Sequence, residues 1–201
     1  MPSLGLVRTP RRIAGLLSAA AAGAATAAAE LSAVGRGLDR HEAVAEAVRD
    51  VRRLVHETSL ETGEMLGGGL DRSDVLAIVL SIKDVADRIE EAAAALRHTE
   101  PRTTPWTALT GVTRDSARAL AAAISRLDGP SRDRDASLER IEVLYAEGRR
   151  LIRGDRARML GPGADPLAAV RAEETARRLE RALRAAVRSG RTARRVAVKH
   201  A

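Results

Sequence analysis

Residues 70–90 read LDRSDVLAIVLSIKDVADRIE. Val75, Ile78, Ile82, Val85 and Ile89 recur at alternating spacings of three and four, and Ala93 and Leu96 extend the series. That period puts all seven on one face of a helix, a narrow apolar seam of the kind that joins helices in a bundle. Leu76, Val79 and Leu80 widen the seam at its start, so burial on more sides is expected there. Lys83 and Asp87 stand four residues apart on the same helix, as an ion pair or as half of a metal site.

The composition fits a helical chain throughout. Among 201 residues there is no Phe, and the aromatics are Trp106 and Tyr145. A core of Leu, Val, Ile and Ala suits closely packed helices better than a sheet, since strands favour β-branched and aromatic side chains. The absence of Cys excludes disulfides, thiolate metal sites and cysteine nucleophiles.

Period and punctuation divide the chain into six helices. They cover about 10–35, 40–66, 72–98, 106–127 and 134–160, and a last one from about 166 to 188 that can reach 198 across Gly190. Asp39 and Glu42 read as a capping box, Asp71 as an N-cap, and Gly67-Gly-Gly69 as a stop. The stretch HTEPRTTP (98–105) splits the helices three and three. The expected fold is all-α, with two three-helix bundles, 1–100 and 101–201, packed together in one compact unit.

The net charge of +7 is unevenly spread. Residues 149–201 carry 15 Arg or Lys against 5 Asp or Glu, whereas residues 1–148 carry 19 against 22. The C-terminal part is thus the expected contact for something anionic. No stretch reads as the roughly 20 strongly apolar residues of a span. Arg8, Arg11 and Arg12 before IAGLLSAAAAGAATAAA imitate a secretory signal, but the helical period runs on through Leu31 and Val34, which favours a structural helix. Its alanine face admits close approach of another helix, from a second copy in a homodimer or from within the chain.

Several stretches carry a resemblance in order and spacing: VRRLVHETSLETGEML (51–66), LDRSDVLAIVLSIKDVADRIEEA, IEVLYAEGRRLIRG, and the ending DPLAAVRAEETARRLERALRAAVRSGRTARRVAVKHA. Together they resemble the PhoU-like accessory proteins that accompany Pit-type inorganic phosphate permeases. The resemblance implies two three-helix bundles, a cytoplasmic location, a regulatory role in phosphate transport, and no catalysis. The family's metal site uses Glu/Asp-x-x-x-Asp pairs on the central helices, whose carboxylates share a helix face and converge on one cation.

Aligned on these motifs, the four pairs become Val48 and Arg52, Lys83 and Asp87, Tyr145 and Arg149, Glu180 and Arg184. Of the eight acids that the resemblance implies, only Asp87 and Glu180 remain, and each pair contains a cation. Helix-two and helix-five pairs lie 97 residues apart, as do those of helices three and six, so the register supports itself as an internal repeat. No metal and no other cofactor is expected. The replaced positions are expected to form salt bridges with Asp87 and Glu180, or an anion site built from arginine forks. The literal Glu46-Ala-Val-Arg-Asp50 faces away from the Val44, Val48, Val51 seam and reads as a solvated acidic face.

Arg177, Arg181, Arg184, Arg188, Arg191 and Arg195 follow at spacings of four and three and form a basic stripe on the last helix. It is expected either to stay solvated or to dock on anionic lipid or a permease's acidic loops, at the inner face of the membrane. Nucleic-acid binding through the same helix is the rival expectation, disfavoured by the scarcity of aromatics for base stacking. His41, His56, His98 and His200 have no metal-ligand spacing, and HETSL lacks the second His of a zinc-protease motif.

Overall fold

The computed structural model describes residues 11–63, 70–99, 104–127, 129–159 and 165–200. Among these residues it holds six helices: α1 (Arg11–Gly35), α2 (His41–Gly63), α3 (Arg72–Leu96), α4 (Thr104–Ile124), α5 (Ser131–Met159) and α6 (Pro166–Lys199). No strand occurs among the described residues.

The helices associate as the seam requires. Each of α1, α2 and α3 packs on the other two, and so do α4, α5 and α6. The two triads then join through like-numbered members, α1 on α4 and α3 on α6. All seven seam residues of α3 are buried, from Val75 at 0% exposed to Leu96 at 5%. One continuous apolar core runs from Ile13 in α1 to Val196 in α6. Leu80 departs from the expected widening: it is 53% exposed, because α3 meets its neighbours along Val79 and not along the adjoining row.

Alanine lets α1 lie in the middle. Ala20, Ala24, Ala27 and Ala28 are buried, and the helix packs against α2, α3 and α4 at once. These alanines are covered within the chain. By length and composition α1 is long and apolar enough to cross a membrane, contrary to the sequence expectation, since alanine counts as apolar. In the fold Ile13, Leu17, Ala20, Ala24, Ala27, Ala28 and Leu31 are buried among the other helices, whereas Ala19 and Ala22 are exposed.

Helix ends follow local chemistry, with two exceptions. After α1, Gly37 takes φ 86°, and the Leu38 N–H donates to the Ala33 carbonyl while that of Gly37 donates to Val34. That is a Schellman stop, which needs the left-handed conformation glycine adopts freely. Asp165 caps α6, accepting from Leu167 N at 3.1 Å and Ala168 N at 3.3 Å, with Pro166 in the first turn. The Asp39 box does not form: α2 opens at His41, where Val44 N–H donates to Arg40, and Glu42 pairs with Arg49 at 2.8 Å. Asp71 stands at the N-cap of α3 without a capping bond, its carboxylate being held by Lys199. The Gly67-Gly-Gly69 stop lies outside the described residues.

Gly190 does not end α6. A Cβ there would meet Ile141 at 3.2 Å, so the glycine lets α5 and α6 approach closely inside a helix that continues to Lys199.

Candidate functional site

The first two motif pairs converge where α2 lies beside α3. Val48 is fully buried in the seam of α2, and one turn on, Arg52 reaches across to α3. Its guanidinium donates to Asp87 Oδ1 from Nε at 3.0 Å and from a terminal nitrogen at 2.8 Å, and to Glu90 at 2.6 Å. Lys83 donates to the other Asp87 oxygen at 2.6 Å. The Lys83–Asp87 pair is thus a helical ion pair enlarged by Arg52 into a network of two cations and two anions. Burial pushes the Asp87 carboxyl up, but the bonds from Lys83 and Arg52 outweigh it and hold it below the usual carboxylate range. Burial likewise opposes the charge on Arg52, and Asp87 and Glu90 override it.

A group whose folded pKa is depressed contributes stability above its unfolded value, near 3.9 for Asp, and loses it as pH falls through the folded value. Asp87→Asn is therefore expected to be less stable than the parent at neutral pH, with the gap closing below about pH 4. Denaturant midpoints across pH measure this. A gap unchanged down to about pH 2 would show that the Asp87 charge contributes nothing.

The other two pairs meet where α5 lies beside α6. Arg184 donates to Glu180 at 2.9 Å. Tyr145, ahead of Glu180, favours the charged form of the same guanidinium. Arg149 is exposed and has no ion pair among the described residues. Asp87 accepts from cations of its own set on both oxygens, and Glu180 on one. The Glu46-to-Asp50 stretch lies on the outer face of α2: Glu46 is exposed, and Asp50, also exposed, pairs with Arg53 at 3.2 Å.

All six stripe arginines are exposed along α6, but four of them have acidic partners. Arg177 lies 3.6 Å from Glu174, Arg184 holds Glu180, Arg188 reaches Asp84 of α3 at 2.7 Å, and Arg191 reaches Glu142 of α5 at 2.9 Å. Arg181 and Arg195 have no ion pair among the described residues. The stripe therefore also clamps α6 to α3 and α5, which sequence spacing alone does not reveal.

A third cluster escaped the sequence reading. Ligand atoms of Asp71, Asp74 and His200 lie within 4.8 Å of one another. The Lys199 ammonium sits on both carboxylates, at 2.5 Å from Asp71 and 2.8 Å from Asp74, and His200 Nε2 is 2.9 Å from Asp74. With the ammonium in place the group works as a latch, holding the cationic C-terminal end of α6 on the N-terminal end of α3, each charge suited to its helix terminus. Burial raises the Asp74 carboxyl, but Lys199 and His200 prevail and lower it. The available signal was Asp71 and Asp74 three residues apart at a helix start.

No protein-family model matches the chain, and no curated protein matches it.

Proposed function

We propose that this chain is a non-enzymatic accessory or regulatory protein of inorganic phosphate transport, of the PhoU-like kind. In this reading it works in the cytoplasm by binding a Pit-type permease, at the inner face of the membrane and without a metal cluster. One observation carries the reading. The triads repeat one another, joined α1 to α4 and α3 to α6, and the four motif pairs fall at the corresponding α2–α3 and α5–α6 contacts. Arg52 and Lys83 occupy the Asp87 oxygens that a cation would need.

Two measurements test it. Elemental analysis after purification, and again after incubation with iron and zinc, is expected to find no stoichiometric metal; one or more tightly held ions per chain would overturn the metal-free part. Deleting the gene is expected to change the rate of radiolabelled phosphate uptake. Unchanged uptake, together with no permease retained from detergent-solubilised membranes on the tagged protein, would overturn the rest.

The second reading is a basic protein that binds nucleic acid or anionic membrane through α6. The exposed column of arginines favours it, and the acidic partners of four of them weaken it. Tight DNA binding that falls steeply with salt would decide for it.

A further inference from the structure

The two halves of the fold carry the same positions with different charge. In the first half Arg52 faces Asp87. The matching positions 97 residues on are Arg149 and Arg184. Their juxtaposition follows from the α5–α6 register, fixed where Arg191 meets Glu142 at 2.9 Å and where Leu183 lies against the backbone of Gly148. Glu142, Tyr145 and Arg149 succeed one another at helical spacing on one face of α5. Glu142 meets α6 at Arg191, and Gly148, which precedes Arg149, lies against Leu183, so Arg149 comes level with the turn from Glu180 to Arg184.

Two guanidinium groups thus stand where the first half has a guanidinium and a carboxylate. Glu180 compensates one of them. The counterpart of Glu90 is Val187, which is buried and offers no charge. The first half is neutral, with two cations and two anions, whereas the second keeps one uncompensated cation and a phenol. Paired arginine forks match the spacing of tetrahedral oxyanions, and an anion between them relieves their mutual repulsion.

We propose that Arg149 and Arg184, assisted by the Tyr145 hydroxyl, form a binding site for a phosphoryl oxyanion on the α5–α6 face. The site does not depend on the permease reading. The oxyanion can come from free inorganic phosphate or from a lipid phosphomonoester headgroup, and the test separates the two.

The full-length protein is titrated with inorganic phosphate at constant ionic strength while the arginine side-chain N–H signals are followed by NMR. In parallel it is sedimented with phosphatidylcholine vesicles that contain or lack phosphatidic acid. Arg149→Gln and Arg184→Gln alter exposed side chains, circular dichroism checks their fold, and Arg52→Gln is the control. Saturable phosphate binding, weakened about tenfold or more in either variant and unchanged in the control, supports the site with free phosphate as ligand. Sedimentation that requires phosphatidic acid, is lost in both variants and resists phosphate competition supports it with the headgroup as ligand. No saturable response to either probe overturns the proposal, as does a response that both variants retain.

Discussion

Ile82→Ala is expected to destabilise the protein by about 2–5 kcal/mol, the usual range for truncating a large side chain that neighbours cannot replace. Ile82 is fully buried at the middle of the α3 seam, and α3 packs on α1, α2 and α6. Truncation there leaves a void in the core that α3 shares with both triads. Leu80, two residues away and 53% exposed, is the internal control: Leu80→Ala is expected to stay within about 0.5 kcal/mol of the parent. Urea denaturation followed by far-UV circular dichroism measures both. Equal losses at the two positions would mean that α3 does not pack along the seam described. A changed dependence on urea concentration in Ile82→Ala would instead point to separate unfolding of the triads.

Gly35→Ala is the second large effect. A methyl group at this position would lie 2.2 Å from the Thr110 hydroxyl oxygen and 3.0 Å from its Cβ, closer than atoms can pack. The clash falls where the end of α1 meets α4, and Thr107 there donates to the Gly35 carbonyl at 3.0 Å. Thr110 cannot turn aside easily, since it is fully buried and its hydroxyl donates to the Trp106 carbonyl at 2.7 Å. Forcing the helices apart is expected to cost about 1–3 kcal/mol. Adding Thr110→Ala removes the hydroxyl and methyl that the new atom would meet, so the double variant is expected to recover part of that loss. Strictly additive losses would show that the two positions do not interact.

The same contact shows what a linear reading misses. Gly35 is the last residue of α1, but the need for glycine there comes from Thr110, 75 residues later. Gly148 and Gly190 stood inside helical patterns with no local reason, and α6 beside α5 supplies one. Asp39 and Glu42 satisfied the pattern of a capping box, yet Glu42 found Arg49, because a carboxylate bonds to whichever donor lies nearest. Ion pairs were half legible. Lys83–Asp87 and Glu180–Arg184 follow from helical spacing, whereas Arg52–Glu90, Arg188–Asp84 and the Lys199 latch join residues on different helices.

By itself the sequence determined that the chain is helical, where its helices run and which face of α3 is buried, because these follow from local spacing and from a composition without aromatics for a sheet. It also determined that each of the four residue pairs contains a cation, at Arg52, Lys83, Arg149 and Arg184. Only the tertiary structure decided which charges meet. It set Arg52 of α2 against Asp87 of α3 and Arg188 of α6 against Asp84 of α3, because such pairing depends on the register between helices. Register is fixed by the small residues that let backbones approach, Gly148 under Leu183 among them, and not by any feature within one helix.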